Sequence, residues 1–179
     1  MRKLKNQELN RVSIEEFKEL KKIPLTIILD NIRSQSNIGS VFRTSDAFLI
    51  NEIILCGITA KPPHREIQKT ALGATDSVDW RYFENTIDAI KELQHKNTKV
   101  YAIEQADGAL MLDTVEFDFS QPIALVLGNE VKGVQQEVVN QADGCIEIPQ
   151  FGTKHSLNIS ITAGIVIWES FQQFQKNLD

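Results

Sequence analysis

The chain has 179 residues, enough for one domain with a full core and short for two. Hydrophobic residues make up 42% and charged residues 24%, ordinary for a soluble globular protein, and no apolar run reaches the length of a membrane helix. Net charge is −5, but unevenly spread: residues 1–22 hold seven Lys/Arg and four acids, the remainder 12 against 20. The N-terminus has no apolar signal core, and Glu8, Glu15, Glu16 and Glu19 argue against a transit peptide. Cys56 and Cys145 are isolated and lack metal-ligand spacing, so they read as buried thiols of a cytoplasmic protein that holds no metal.

Taken in order, Ser13 followed by Glu16 reads as a capping box opening a short helix to Lys22. A basic arm of this kind can touch phosphate, or simply be a solvated helix face. Leu25–Leu29 (LTIIL) is a buried strand, Asp30–Ser36 a polar loop, and Ile38–Leu49 a helix. Ile53–Leu55 is a second strand, Lys61–Arg65 a loop and Glu66–Leu72 a short helix. Val78–Phe83 alternates like a strand, and Asn85–Gln94 is an amphipathic helix with Ile87, Ile90 and Leu93 inward. Val100–Ile103 is a strand, and Ile123–Leu127 (IALVL) is the most hydrophobic and therefore central. Val134–Ala142 is a helix, Cys145–Ile148 the last strand, and Ser156–Lys176 the closing helix, with Leu157, Ile161, Ile165, Trp168 and Phe171 on one face. Small Ala163 and Gly164 let another element approach that helix closely. The alternation predicts one α/β domain over 1–179: a mostly parallel sheet with helices on both faces, preceded by the arm.

In such sheets ligands bind beyond the carboxyl ends of strands, which singles out the loops Asp30–Ser36, Gly128–Gly133 and Gln150–Ser156. In the first, Arg43 lies on the polar side of the following helix, behind Asn37 and Arg33, and this clustering favours a ribose–phosphate partner. In the second, Gly128 and Gly133 are spaced as in a P-loop, but Val134 stands where Lys must follow, which excludes an NTPase. No G-x-G-x-x-G occurs, against a nicotinamide site. Glu130 is either a loop-fixing carboxylate or a ligand contact. In the third, Lys154, His155, Ser156 and Asn158 surround a helix start, where Ser156 or Asn158 either caps the helix or meets a polar ligand. His155-Ser156 is not a hydrolase pair, since the G-x-S-x-G elbow is absent.

Three segments, NIGSVFRTSDAF from Asn37, LVLGNEVKGV from Leu125 and IEIPQFGTKHSLNISITAGI from Ile146, together resemble the SpoU (TrmH-like) branch of the SPOUT RNA methyltransferases. They lie in the family's order across residues 25–170; Gln150 replaces a frequent Met and Val131 a frequent Gly. The resemblance implies methyl transfer from S-adenosylmethionine to a ribose 2′-hydroxyl of RNA, a C-terminal trefoil knot and a homodimer. It implies cofactor contacts at Glu104, Leu127, Gly128, Ile148, Ser156 and Leu157. It implies catalytic positions at Asn37, Arg43, Glu130, Ser156 and Asn158, and RNA contacts at Arg33, Arg43 and Lys154. The motifs look more like tRNA guanosine-18 enzymes than ribosomal ones; a ribosomal RNA target, or an inactive RNA-binding scaffold of the same fold, are the alternatives. Arg43 is the position usually proposed to activate the hydroxyl. A guanidinium with a pKa above 12 costs roughly 7 kcal/mol to neutralise near pH 7, at 1.36 per unit. A charged Arg43 that orients phosphate and stabilises a developing alkoxide is the less costly role.

Overall fold

A computed structural model describes residues 1–177. Seven strands form one sheet: β1 (Ile23–Asp30), β2 (Ile50–Cys56), β3 (Asp79–Phe83), β4 (Lys99–Ile103), β5 (Leu110–Met111), β6 (Ile123–Leu127) and β7 (Gly144–Glu147). Every pairing is parallel, in the order β3-β2-β1-β6-β4-β7-β5. The helices are α1 (Ile14–Glu19), α2 (Gln35–Ala47), α3 (Arg65–Ala71), α4 (Ala74–Ser77), α5 (Thr86–His95), α6 (Gln136–Gln141) and α7 (Ile159–Lys176).

Alternation along the central strands splits their side chains between two cores. Leu25, Ile27 and Leu29 of β1 and Ile123, Leu125 and Leu127 of β6 enter a layer with α2, α3 and α7. Ile28, Ala124 and Val126 enter the opposite layer with Ala89, Ile90 and Leu93 of α5 and Val138 of α6. Strands buried on both faces read as continuous apolar runs, which is why LTIIL and IALVL stand out in the sequence. The sheet order reverses beside β1 and β6, so the loops after β1, β4, β6 and β7 gather at one carboxyl edge.

The arm is docked. The capping box holds, with Glu16 N donating to Ser13 Oγ and Ser13 N to Glu16 Oε2. Phe17 is buried against the α2–α4 layer, with the Lys22 ammonium 3.7 Å from its ring centroid. Strand β5 and helix α4 were not expected from the sequence; both are too short to show a period.

One expectation needs correction. The closing helix begins at Ile159, not Ser156: Asn158 is its N-cap, so Ser156 and Leu157 belong to the preceding loop. The core face of α7 is Ile159, Ala163, Val166, Ile167 and Ser170, whereas Leu157, Ile161 and Trp168 are exposed at 38%, 55% and 46%. Phe48 of α2's C-cap does reach Trp168 and Phe171, at 5.4 and 5.2 Å between ring centroids.

Gly39 is where α2 meets α3. A Cβ there would overlap Thr70 Oγ1 and the Ile67 carbonyl oxygen, and the backbone of α3 cannot rotate away. Gly39→Ala is therefore expected to destabilise the fold: overpacking costs about 1–3 kcal/mol, more than the roughly 0.8–1 kcal/mol gained in helix propensity. A lowered urea midpoint at unchanged slope is the expected readout; a raised midpoint would show that α3 yields.

Candidate active site

One cavity of about 660 Å³ lies beyond the carboxyl ends of β4, β6 and β7. Its walls include Leu127 and Gly128, Ile148, and Ser156 and Leu157, so three segments far apart in sequence converge on it. Glu104, Glu130 and Asn158 also line it. The volume falls within the roughly 300–1,000 Å³ usual for small-ligand sites.

The Gly128–Gln135 loop folds tightly over its own strand. Asn129 N donates to the Gly133 carbonyl at 3.0 Å and Gly133 N to the Asn129 carbonyl at 2.8 Å. A Cβ on Gly128 would collide with backbone at Gly133 and Val134, so only glycine fits under this loop. Gly133 has φ +68°, and the Glu104 carboxylate packs directly beneath it, accepting from Val134 N at 2.8 Å and Gln105 N at 2.9 Å. Glu104 thus props the loop from β4.

Glu130 resolves as a loop-fixing carboxylate that also borders the cavity. It accepts from Arg33 N and Ser34 N, both at 3.0 Å, and from Asn37 Nδ2 at 3.2 Å. Asn37 Oδ1 in turn accepts from Asn158 Nδ2 at 3.3 Å. Asn158 Oδ1 accepts from Ser160 N at 2.8 Å, so the residue caps α7 and joins the cluster at once. Glu130, Asn37 and Asn158 therefore tie the loop after β6 to the starts of α2 and α7.

Sequence reasoning missed Asp30, the last residue of β1 and fully buried. Its carboxylate accepts from Asn31 Nδ2 at 2.9 Å, Thr86 Oγ1 at 2.6 Å, Gln135 Nε2 at 2.9 Å and Gln135 N at 3.3 Å. An acid closing an apolar strand was the available signal. Asn129, also missed, donates through Nδ2 to the Asn31 carbonyl at 2.7 Å.

The three expected cations stand apart from the cavity walls. Arg33 and Lys154 are exposed, in the loops after β1 and before α7. Arg43 is exposed too, and it lines a separate groove of about 550 Å³ with Arg11, Phe17 and Leu72, between the arm and α2. Six residues separate Asn37 from Arg43, roughly 9 Å along the axis and 240° around it. The cavity itself is edged by the carboxylates of Glu104 and Glu130 and by Lys132, a net negative lining, and its walls at Ile103, Leu127, Ile148 and Leu157 are apolar.

Burial pushes the Glu130 carboxyl up, but the Arg33 and Ser34 amides and Asn37 outweigh it and hold it below its ordinary value of 4.5. A carboxyl depressed in the fold stabilises above its unfolded pKa and loses that contribution as pH falls through the folded value. Wild type is thus expected to lose melting temperature more steeply than Glu130→Gln below about pH 4.5. The wild-type advantage near pH 7 should be up to about 1 kcal/mol, since the side chain is exposed. Parallel melting profiles from pH 7 to 3 would rule this out.

Residues 24–168 match the SpoU rRNA Methylase family model. The chain is 31% identical over 166 residues to the tRNA (guanosine(18)-2′-O)-methyltransferase of Thermus thermophilus, covering 93% of this chain and 84% of that protein. It is also 31% identical over 150 residues to the 23S rRNA (guanosine-2′-O-)-methyltransferase RlmB of Ralstonia nicotianae, covering 84% of this chain but 59% of that one. Among solved structures, the A. aeolicus TrmH/SpoU tRNA modifying enzyme superposes with a TM-score of 0.81 at 25% identity, over 92% of this chain and 82% of that one. The AdoMet-bound rRNA methyltransferase of Sinorhizobium meliloti gives 0.79 at 29%, over 87% and 59%. A family match over most of the length, with the three motif loops meeting at one cavity, makes this chain a member of the SpoU methylase family, enzymes that methylate RNA with S-adenosylmethionine.

Proposed function

We propose that this enzyme methylates the 2′-hydroxyl of guanosine 18 in tRNA. The convergence of Leu127-Gly128, Ile148 and Ser156-Leu157 on one cavity, with Glu130, Asn37 and Asn158 at its rim, is the observation that carries the reading. The tRNA target is supported by the likeness to the Thermus thermophilus tRNA enzyme, of which the chain spans 84%.

The cavity fits S-adenosylmethionine. Apolar Ile103, Leu127, Ile148 and Leu157 suit an adenine ring, and the carboxylates of Glu104 and Glu130 suit a sulfonium. When bound, the cofactor supplies an electrophilic methyl group. The chain's part is positioning: Asn37 and Asn158, rigidly bonded to each other, hold the ribose side of the cleft, and Ser156 and Leu157 hold the cofactor side. Aligning the hydroxyl with the methyl contributes up to about 7–11 kcal/mol. Leu127, Gly128, Ile148, Ser156 and Leu157 would hold S-adenosylmethionine, which would supply the methyl group for a ribose 2′-hydroxyl held beside Asn37 and Asn158. Arg33, Arg43 and Lys154 meet RNA, with Arg43 kept charged against phosphate.

Arg43 and the cavity occupy different sides of α2 within one protomer, which supports a homodimer in which each protomer supplies Arg43 to its partner. The exposed Ile161 and Trp168, with half-buried Gly164 and Ile165 between them, follow a three–four spacing along α7 that suits a helix-to-helix contact. A Cβ on Gly164 would meet nothing within 4 Å, so that close-approach surface is open in the protomer. The implied trefoil knot belongs to this proposal also. It is supported by fastenings of the 104–119 strap: Gln173 bonds Val115 O and Phe117 N, and Gln105 Nε2 bonds His155 O. The free thiols Cys56 and Cys145 are in keeping with a cytoplasmic setting. No helix among the described residues is long and apolar enough to cross a membrane.

Tritiated methyl transfer to tRNA, with the product nucleotide mapped, tests the activity. Arg43→Ala should lose at least tenfold in turnover while binding cofactor normally by calorimetry; retention of more than a tenth of the rate would defeat its role. Mixing Arg43→Ala with Asn158→Ala tests the dimer, because only a shared site restores one intact copy. Recovery of up to about a quarter of wild-type activity is expected on random pairing, and none if Arg43 serves its own protomer.

A further inference from the structure

We propose that a second rim of the active site, the loop 57–65 with Arg33, is a docking ridge for RNA phosphates in which Lys61 and Arg65 are direct contacts and Tyr82 holds Lys61 in place. The proposal rests on the reading of the chain as an RNA methyltransferase and extends it away from the cofactor.

The first observation is charge. In a chain of net charge −5, residues 31–45 and 57–65 contain no Asp or Glu, yet hold Arg33, Arg43, Lys61 and Arg65. Arg33, Lys61 and Arg65 are exposed, and none of them makes an ion pair among the described residues. The nearby Glu66 is engaged by Lys69 at 2.7 Å.

The second observation is that these cations stand on fixed backbone. Ile58 N donates to Asn31 Oδ1 at 3.1 Å, and Ile32 N donates to Thr59 Oγ1 at 2.9 Å. The buried Thr59 hydroxyl donates to the Leu29 carbonyl at 3.0 Å. The loop after β2 is thereby stitched to the loop after β1, which Glu130 stitches to the cavity. One continuous surface runs from the cavity mouth past Arg33 to the edge strand β3.

The third observation is Lys61. Its ammonium lies 4.2 Å from the centroid of the Tyr82 ring, and the Tyr82 hydroxyl donates to the Gly57 carbonyl at 2.9 Å. A flexible side chain is thus held over an aromatic face at the sheet edge without an anion to neutralise it. Holding a cation in position while leaving its charge free suits capture of a polyanion: the rotamer entropy is already spent, and phosphate releases counterions on contact.

The experiment measures binding of the full-length protein to a tRNA transcript by anisotropy at several salt concentrations, with cofactor titration and melting temperature alongside. Lys61→Glu and Arg65→Glu should each weaken RNA binding about tenfold and lower the salt slope by about one, leaving cofactor affinity and melting temperature unchanged. Tyr82→Phe keeps the ring and should bind RNA as wild type does, whereas Tyr82→Leu should lose about threefold. Should Lys61→Glu fail to fold, Lys61→Gln, which removes the charge alone, gives the same reading. RNA affinity within twofold of wild type in both charge variants would overturn the ridge while leaving a methylating wild type intact. A wild-type protein that neither binds nor methylates tRNA would instead sink the functional reading on which the ridge stands.

Discussion

Two carboxylates without cationic partners hold this active site together. Glu130 and Asp30 lie on neighbouring central strands' exits, and each reaches across to gather N–H donors from another loop. Losing a donor to the fully buried Asp30 costs about 1–3 kcal/mol, whereas the exposed Glu130 is screened by solvent and contributes up to about 1 kcal/mol. Asp30 is buried at the end of β1, joining it to the start of α5 and to the end of the Gly128–Gln135 loop. Glu130 sits at the rim, joining that same loop to the start of α2. The loop between them, Gly128–Gln135, is pinned at both ends and propped by Glu104 in the middle. A segment with little apolar burial of its own is thereby made rigid enough to shape a cavity wall.

The choice of amide donors over guanidinium or ammonium has a consequence. A carboxylate paired with Arg or Lys neutralises that cation; one satisfied by backbone amides keeps its negative charge and leaves the cations elsewhere. Glu130 and Glu104 therefore present their charge to the cavity, while Arg33 and Arg43, both near in sequence to the Glu130 cluster, make no ion pair among the described residues. Glu104, Glu130 and Lys132 line the cavity, while Arg33, Arg43 and Lys154 stand on surfaces outside it. At a net charge of −5 this arrangement also confines the attraction for RNA to defined rims rather than spreading it over the molecule.

How much of this was legible in the sequence depended on burial and length. LTIIL and IALVL announced themselves because strands covered on both faces must be apolar throughout. The motif loops were legible because glycine and asparagine occupy positions that the backbone demands, as at Gly128 beneath its own loop and Asn158 at a helix cap. Strand β5 was not, because two exposed residues carry no period. Which face of α7 forms the core was not read from the sequence, for a different reason. Ile161, Ile165 and Trp168 fit helical spacing as well as Ile159, Ala163, Val166 and Ile167 do, and a helix apolar on two sides cannot say which side meets its own chain. The position of Arg43 away from the cavity was within reach of helical arithmetic, since six residues never return to the same face. Asp30 was hidden by convention: a terminal acid after an apolar run reads as the start of a loop rather than as a buried anchor.

The second apolar face of α7 and the displaced Arg43 become one problem when considered together. Exposing Leu157, Ile161 and Trp168 to water carries a hydrophobic cost of roughly 25 cal/mol for each Å² of apolar surface left uncovered, and nothing in the protomer offsets it. Leaving Arg43 on the far side of α2 from the cofactor cavity carries a functional cost, for a residue of the first motif then touches neither wall of the cleft. A monomer bears both costs. Helix α7 begins at Ile159, just after its N-cap Asn158 on the cavity rim, and carries its exposed stripe away from there, while Phe48 binds the end of α2 to Trp168 on that same stripe. An element docked on α7 would thus lie against the rim at one end and near α2 at the other. A second copy of the chain has a matching stripe and its own Arg43, so the proposed two-fold contact would cover the stripe and bring Arg43 toward the partner's cavity.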